Sequence, residues 1–228
     1  MCGRFTLHTP AAMLADIFQV PNAMQLPLRY NVAPTQQVAV VRSENEQRTL
    51  VTLRWGLIPS WATEASIGSR MINARSETLA EKPSFRSAFK RRRCLILTDG
   101  YYEWKKVGTK KQPYYIRMRD EQPFAMAGLW EQWRGPKDEP LDHSVQTCTI
   151  ITTAANPMCE EIHDRMPVIL DANDFDLWLD PDMQERETLE NLLQTCSGDE
   201  MIADKVSTHV NSVKNDDVSC IAIQKELF

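Results

Sequence analysis

The chain has 228 residues, of which 43% are hydrophobic, and it carries a formal net charge of -5 at pH 7. This length is enough to bury a sizeable core, and we expect one domain over residues 1–228. The acidic balance excludes a protein that coats nucleic acid through its overall charge, but it leaves room for a local basic cleft. No run approaches the roughly 18 apolar residues of a membrane helix and no signal peptide opens the chain, so we expect a soluble cytoplasmic protein.

The cysteine and histidine pattern predicts no metal site and no cofactor. The chain has only four histidines and no H-E-x-x-H motif, so the spacing of a common zinc site is missing. The cysteines are widely spaced and form no C-x-x-C pair, which is typical of reduced and mostly buried thiols. The six positions are Cys2, Cys94, Cys148, Cys159, Cys196 and Cys220.

The first third of the chain predicts one helix, two strands and a long irregular stretch. Thr9 is expected to cap a helix whose first position is Pro10, with apolar residues recurring on one face as far as Phe18. Apolar runs predict strands over residues 37–42 and 48–55, joined by a polar loop. Residues 56–84 mix Gly, Pro, Trp and Ser with little periodicity, and we predict long functional loops there.

The middle of the chain is dominated by predicted strands. A turn over residues 107–112 joins two of them. Together, the apolar runs predict strands over residues 93–98, 101–106, 113–118, 124–133 and 145–153.

The last third changes to helical patterns. Asp171 is expected to cap a helix over residues 172–179, and residues 183–194 have helical periodicity and strong helix formers. The segment 220–223 is predicted to return as a strand. The predicted strands cluster in the middle of the sequence, and the predicted helices lie before and after them. This order predicts an α+β fold, in which a mainly antiparallel and distorted barrel-like sheet is flanked by helices.

Cys2 is the first candidate for chemistry. A small second residue favours removal of Met1, which would leave Cys2 with a free α-amino group beside its thiol. Such an amine has a reference pKa of about 7.7–8.0, so near neutral pH it can condense with an aldehyde to a Schiff base. The thiol can then add to the imine and close a thiazolidine ring. The alternative is that Cys2 is a small buried hydrophobic residue.

Glu103 and His163 are candidates for proton transfer. On a strand, Glu103 shares a face with Tyr101 and Lys105, and an aromatic, partly desolvated site would make its carboxyl group a proton donor. The alternative is an ordinary surface carboxylate. His163 stands among charged residues that could tune it as a proton shuttle, but a solvent-facing histidine is the more common outcome of such a pattern.

Polar and aromatic residues elsewhere suggest contacts with a nucleic acid. The amide of Asn73 could hold a backbone group or a terminal amine, and Arg75 could bind a phosphate. Arg4 adds a cation beside Cys2, and Trp61 stands in a proline-containing loop that suits stacking on the bases of single-stranded DNA. The alternative is that these are ordinary loop residues and that the tryptophans are packed in the core.

Six segments of the chain resemble the successive motifs of one family. The resemblance runs from residue 2 to about residue 215, and the order of the motifs makes it far more specific than any one of them. The segments are MCGRF, YNVAPTQ, RWGLIPSW, INARSET, DGYYEW and IHDRMPVIL. They are similar to those of the SRAP family, the SOS response-associated peptidases or abasic-site processing proteins.

The resemblance implies a mixed α/β domain around a distorted antiparallel barrel, and it implies a function. The family's members bind abasic sites in single-stranded DNA and shield the lesion with a thiazolidine crosslink to the mature N-terminal cysteine, which matches Cys2. The catalytic positions carried over are Asn73, Glu103 and His163. The positions carried over for DNA binding are Arg4, Asn31, Pro34, Trp61 and Arg75.

Two departures and several expectations accompany the resemblance. Pro83 stands where relatives carry a basic residue, so one phosphate contact is missing or is made by Lys82. Residues 207–217 resemble a shortened form of the family's last motif, which brings His209 and Asn211 close to the site. The expected partner is single-stranded DNA with abasic sites, including junctions between single-stranded and double-stranded DNA. We expect the protein to be a monomer and to have no membrane partner.

Three activities are compatible with these residues. The first is covalent abasic-site capture, with lyase activity as a side reaction of the Schiff base and with reversal of the crosslink. The second is a cysteine-type peptidase or autopeptidase in which His163 activates Cys2. The third is a module that binds single-stranded DNA reversibly.

Overall fold

The computed structural model describes residues 2–21 and 24–224. Within these ranges the chain forms a mixed α+β fold with thirteen strands and five short α-helices. The strands are β1 Phe5–Leu7, β2 Arg29–Val32, β3 Gln37–Glu44, β4 Gln47–Trp55, β5 Asn73–Arg75, β6 Arg93–Thr98, β7 Gly100–Val107, β8 Lys110–Met118, β9 Phe124–Trp133, β10 Val145–Ala154, β11 Arg165–Pro167, β12 Ile169–Leu170 and β13 Met201–Lys205. The helices are α1 Ala11–Phe18, α2 Arg86–Arg91, α3 Pro157–Glu160, α4 Phe175–Leu179 and α5 Arg186–Asn191.

The larger sheet is partly ring-like. Its strands run in the order β11-β10-β4-β3-β6-β9-β12, and a further pairing between β9 and β10 closes the five strands β10-β4-β3-β6-β9 on themselves. All pairings are antiparallel except those of β10 with β4 and with β5. The predicted α+β class with a distorted, mainly antiparallel barrel-like sheet is therefore confirmed.

A second sheet carries the N-terminal segment. Its strands run in the order β13-β8-β7-β1-β2, so β1 lies between β7 and β2. Side chains on β3 and β6 alternate between two buried clusters, because successive residues of a strand point to opposite faces. Val40 and Ile96 join Phe5 and Tyr101 of the second sheet, whereas their neighbours pack with the helices. The second sheet and helices α1, α2, α4 and α5 thus cover opposite faces of the larger sheet, whereas the short helix α3 packs on the side of the second sheet.

Two local predictions are wrong. Thr9 does not cap α1, because its backbone N–H and its hydroxyl both bond the carboxylate of Asp99, and Pro10 takes the capping position without a side-chain bond. The tail forms a 3-10 helix over Val218–Ile221 rather than a strand, and only Ile223 makes an isolated bridge, to Val206. At Thr9 the competing partner is the carboxylate of Asp99, 90 positions later, whereas in the tail it is the nearby side chain of Asp217, which accepts the N–H of Ser219.

Other boundaries are shorter than the patterns suggest. Asp171 caps as predicted, accepting the N–H of Asn173, but a 3-10 turn precedes α4. Helix α5 begins only at Arg186, where the carboxylate of Glu185 accepts the N–H groups of Glu187 and Thr188. The predicted loop region 56–84 contains the short strand β5 and two 3-10 helices. No helix of the described ranges is long and apolar enough to cross a membrane.

Candidate active site

Strand pairing buries Cys2 next to β7. Phe5 on β1 pairs with Tyr101 on β7, and the N–H of Tyr102 donates to the carbonyl of Arg4 at 2.9 Å, which continues the pairing toward the N-terminus. The Cys2 side chain is fully buried. Burial, together with the nearby charge of Glu103, raises the pKa of the Cys2 thiol well above its ordinary value. The resting thiol is therefore protonated at neutral pH.

Asn73 holds the backbone of Cys2. Its strand β5 pairs in parallel with β10, with Asn73 in register with Ile150, and this brings its amide to the N-terminal segment. The Asn73 Nδ2 donates a hydrogen bond of 2.8 Å to the carbonyl oxygen of Cys2. The Oδ1 of the same amide is buried and accepts no hydrogen bond within the described ranges. One side of the amide thus fixes Cys2, while the other offers a buried acceptor.

Glu103 lies at a cavity of about 440 Å³. Glu103 is only 4% exposed, and its charge contributes to the raised pKa of the Cys2 thiol. The alternative of an ordinary surface carboxylate is therefore wrong for this residue. The cavity is lined by Arg4, Glu103, Trp104, Lys111, His163 and Asn211.

His163 reaches this cavity from a turn that follows α3. The turn is fixed because the N–H of His163 donates to the carbonyl of Cys159 at 2.9 Å and the side chain of Asn156 caps the helix. The imidazole is about one-third exposed. Its Nδ1 accepts the N–H of Arg165 at 3.1 Å and lies 2.8 Å from a carboxylate oxygen of Asp164. The first contact needs Nδ1 as an acceptor and the second needs a hydrogen on Nδ1, so only one of the two can be a hydrogen bond at a time.

A buried contact links the elements that carry the two proton-transfer candidates. The hydroxyl of Tyr101 on β7 lies 3.3 Å from the Sγ of Cys159, whose carbonyl holds the backbone of His163. Tyr101 is fully buried and Cys159 is 2% exposed. Because Glu103 is two residues from Tyr101 on the same strand, this contact ties the strand of Glu103 to the turn that carries His163.

Arg4 is held by Asn31 and by the C-terminal segment. The Arg4 Nη1 donates to the Oδ1 of Asn31 at 2.8 Å and to the carbonyl of Val210 at 3.0 Å. Asn31 is fully buried, and its Nδ2 donates to the carbonyls of Val210, Ser212 and Asn215. Asn31 thus positions Arg4 from below the surface. The segment of the shortened last motif lies at the site, where Asn211 accepts the indole N–H of Trp104 at 2.8 Å.

The remaining predicted DNA-binding residues lie outside the cavity. Trp61 is 57% exposed in the turn between Pro59 and Ala62. Pro34 is half-buried in a turn, while Arg75 and Lys82 are exposed. Trp55, in contrast, is a core residue, with its indole N–H bonded to the carbonyl of Ile72.

The loop that carries Trp61 is fixed by a close approach of two glycines. Gly56 has φ +123°, and a Cβ there would lie 2.6 Å from the carbonyl oxygen of Gly68. A Cβ on Gly68 would in turn lie 2.7 Å from the carbonyl oxygen of Gly56. Only glycine fits at both positions, so the sequence pair sets the path of the loop.

Lys111 and Trp104 are cavity residues that sequence reasoning missed as functional. Lys111 reaches the site because β8 returns beside β7, with Lys106 opposite Lys111. That register follows from the length of the turn, which the sequence pattern predicted only approximately. Trp104 was visible as an aromatic neighbour of Glu103, but nothing in the sequence places Asn211 against it.

One side-chain group in the described ranges has the composition of a metal site. The ligand atoms of His209, Asp217 and Cys220 lie within 4.8 Å of one another. The Nδ1 of His209 accepts from the amide of Asn215, so Nε2 carries the hydrogen and donates it to Asp217 at 3.0 Å. This bond and those from Ser219 lower the pKa of Asp217 to about 2. The hydrogen on Nε2 does not suit a metal ligand, and the group fits a hydrogen-bonded clasp better.

The family of the chain follows from comparison with known proteins. The model of the family described as SOS response associated peptidase (SRAP) matches residues 1–213. The chain belongs to the SRAP family. The resemblance predicted from the six motifs is therefore confirmed. Of the motif residues, Asn73 and Glu103 interact with Cys2, and His163 lines the same cavity as Glu103.

Curated SRAP relatives are named abasic site processing proteins. YoqW of Bacillus subtilis (strain 168) is 45% identical over 220 residues, which cover 94% of this chain and 96% of YoqW. HMCES of Gallus gallus is 34% identical, in a match that covers 84% of this chain and 65% of HMCES. YedK of Escherichia coli (strain K12) is 32% identical, in a match that covers 94% of this chain and 96% of YedK. The crystal structure of a Bacteroides thetaiotaomicron protein superposes with a TM-score of 0.86 at 27% identity, covering 98% of this chain and all of that one.

Proposed function

We propose that this SRAP protein processes abasic sites in single-stranded DNA by forming a thiazolidine crosslink through Cys2 after removal of Met1. The observation that carries the proposal is the position of Cys2, whose carbonyl is held by Asn73 and whose thiol lies within the field of Glu103. The relatives named abasic site processing proteins support the choice of substrate. An internal cysteine could not perform this chemistry, because its amine is part of a peptide bond.

The protonated thiol argues for an order of steps. The amine attacks first, because an α-amine is substantially unprotonated near neutral pH whereas the pKa of the buried thiol is raised. The abasic sugar must open to its aldehyde: the Glu103 carboxylate takes up the proton of the anomeric hydroxyl and donates it to the ring oxygen as the C–O bond of the ring breaks. Attack of the Cys2 nitrogen on the aldehyde carbon gives a carbinolamine, which loses one water to form the imine.

Ring closure then needs a base for the thiol. Glu103, now a carboxylate, accepts the proton of the Cys2 thiol, and the sulfur adds to the imine carbon. The imine nitrogen takes up that proton, which returns Glu103 to its carboxylate, so the closure is neutral overall and only one water is lost in the whole sequence. The buried Oδ1 of Asn73 is the acceptor that would orient an N–H of the Cys2 amine.

His163 serves as the second proton-transfer group. Its position on the cavity that Glu103 also lines suits proton transfer at the imine, both for closure and for reversal of the crosslink. The same imine is the branch point for strand cleavage by elimination of the downstream phosphate. Rapid capture by the thiol suppresses this lyase reaction.

The DNA is held by residues around the cavity. Arg4, which Asn31 holds by a hydrogen bond, would contact the DNA backbone beside the lesion. The exposed Trp61 would stack on a base, with Pro34 shaping the neighbouring turn, and Arg75 and Lys82 would contact phosphates. Junctions between single-stranded and double-stranded DNA are included among the proposed substrates. The proposal takes the protein to act as a monomer.

The other two activities have less support. A peptidase in which His163 activates Cys2 requires an accessible and acidified thiol, whereas burial raises the pKa of Cys2. A reversible DNA-binding module would not need an amide clamp on the Cys2 carbonyl. Both activities remain as outcomes of the test.

The test is denaturing gel electrophoresis with labelled single-stranded DNA, with or without one abasic site. The proposal expects a band that survives denaturation, requires the abasic site and is absent when Met1 is retained. Cys2→Ala keeps the amine and loses the thiol, so it should give strand cleavage or an imine that borohydride traps. If no covalent band forms although mass spectrometry shows that Met1 is gone, crosslinking is wrong, and reversible binding of DNA or Cys2-dependent peptide cleavage takes its place.

A further inference from the structure

The hairpin of β7 and β8 concentrates positive charge beside the cavity. It carries Lys105, Lys106, Lys110 and Lys111, and the last three are exposed. The turn contains Gly108 at φ +60°, where an added Cβ would meet no atom within 4 Å. Although the chain as a whole has a net charge of -5, this arm is strongly cationic.

The hairpin places like charges against each other. Lys106 lies directly opposite Lys111, and Lys110 lies opposite Val107 in the next pair. Like charges in directly opposed positions destabilise an antiparallel pair. Within the described ranges, no ion pair includes any of these four lysines. A polyanion lying along the arm would offset the repulsion.

The arm is continuous with the proposed reaction site. Lys111 lines the same cavity as Glu103 and Arg4, and Glu103 lies five residues before Gly108 on β7. At about 3.4 Å per residue, the turn is about 17 Å from Glu103. A DNA strand held with its lesion at Cys2 would have to leave the cavity, and the arm offers it a cationic path over several nucleotides.

We propose that the β7–β8 hairpin is a phosphate-binding arm for the DNA backbone on one side of the lesion. This proposal rests on the proposed function, because it takes the lesion to lie at Cys2. The ammonium groups are point charges without the planar fork of arginine, so the arm binds phosphates and not particular bases. It gives the protein a longer footprint on one flank of the lesion than on the other.

The test compares two pairs of charge-removing substitutions. Lys106→Gln with Lys110→Gln alters the arm, and Lys111 is left in place because it lines the cavity. The matched control is Lys90→Gln with Arg91→Gln, two exposed cations in the last turn of α2, which packs on the face of the larger sheet opposite the site. Fluorescence anisotropy with a lesion-free single-stranded oligonucleotide gives the affinity at several salt concentrations, and thermal unfolding checks that both proteins fold.

The arm variant should lose affinity about tenfold at 50 mM salt, and the slope of log K against log salt should become shallower by about 1.4, since each phosphate contact contributes about 0.7. The control should match the wild type. Equal losses in both variants would overturn the proposal, because they would reflect net charge alone. An arm variant that binds like the wild type would overturn it as well.

Oligonucleotides with a single abasic site and a long flank on only one side give the second measurement. In the arm variant, the half-saturating DNA concentration for crosslinking should rise when the long flank lies on one side of the lesion, either 5′ or 3′. It should stay unchanged when the long flank lies on the other side. Equal effects for both positions of the long flank would overturn the assignment to one flank. If the wild type forms no crosslink and binds no DNA, the proposed function fails; if the wild type does both and the arm variant matches it, only the arm fails.

Discussion

The side-chain amide of Asn73 donates a 2.8 Å hydrogen bond to the carbonyl oxygen of Cys2, across 71 positions of sequence. The bond joins β5, at the edge of the larger sheet, to the segment that leads into β1 of the second sheet. The two sheets therefore meet at the residue proposed to react. Any movement of β5 along β10 would move the anchor of Cys2.

Replacing Asn73 tests this anchor. Asn73→Ala removes the donor, and Asn73→Asp also sets a carboxylate against the Cys2 carbonyl. We expect the single-turnover rate of crosslinking at saturating DNA to fall by about 10²-fold for Asn73→Ala, because a small misplacement of a reacting group has that effect, and further for Asn73→Asp. An Asp variant as fast as the wild type would show that the bond does not position Cys2.

Glu103→Gln tests the proton donor. The amide keeps the shape of the side chain but can neither protonate the ring oxygen nor accept the thiol proton. Crosslinking should slow by about 10²–10⁴-fold without being abolished, because general acid and base catalysis contributes that much. Glu103→Asp keeps the carboxylate on a shorter stem and should be the faster of the two. If the Gln variant reacts at the wild-type rate, Glu103 does not transfer the proton.

His163→Ala tests the second proton-transfer group in both directions. The rate of formation is measured on denaturing gels, and the rate of reversal by chasing a labelled crosslink with unlabelled DNA. We expect His163→Ala to slow at least one of the two rates by about 10²-fold or more. His143→Ala, on the exposed loop between β9 and β10, is the control and should change neither. The role is withdrawn if His163→Ala also leaves both rates unchanged.

Most of the sheet could be predicted from the sequence because its strands have long apolar runs. The runs at residues 37–42, 93–98 and 124–133 are buried on both faces, and continuous apolar character is the signal of such strands. Strand β5 could not be predicted in this way. It has three residues, two of them polar, and it exists because β10 offers it an unpaired edge.

The motifs identify the candidate site residues, but they do not predict how these residues are arranged in space. Glu103 shares a face with Tyr101, as alternation predicts, and both interact with the Cys2 region. The sequence could not reveal that Asn31 is buried or that it positions Arg4, since three of its partners lie in a segment about 180 positions later. Such long-range polar contacts leave no periodic signal. The extent of the domain and the oligomeric state stay predictions.

The clasp of His209 and Asp217 predicts a pH dependence of stability. The folded-state pKa of Asp217 is lowered to about 2, below its unfolded value of about 3.9, by hydrogen bonds from His209 and Ser219. Its contribution is therefore present above about pH 4 and is lost as the pH falls toward 2. Asp217→Asn keeps an acceptor for the N–H of Ser219 but loses the charge. The melting temperature of this variant should lie below that of the wild type at pH 7, and the gap should close as the pH falls from 4 to 2; a constant gap would contradict the assignment.

Substitution of Arg93 is expected to lower the free energy of unfolding by a large amount. Its guanidinium is buried and donates to five backbone carbonyls, those of Phe89, Lys90, Trp178, Asp180 and Met183. Burial lowers the pKa of Arg93 to about 10, so all five donors are still present at neutral pH. The side chain thereby ties the end of α2 to the end of α4 beneath the larger sheet.

Arg93→Met leaves these carbonyls without their donors, and we expect the free energy of unfolding to fall by about 3 kcal/mol or more. Arg93→Lys has three donors at a single point and should recover only part of the loss, because it lacks the planar fork that reaches both helix ends. Arg91→Met, at an exposed position two residues earlier, should change the stability by only about 0.5 kcal/mol. Urea unfolding of the four proteins gives the values, and equal stabilities of Arg93→Met and Arg91→Met would show that the carbonyls are satisfied without Arg93.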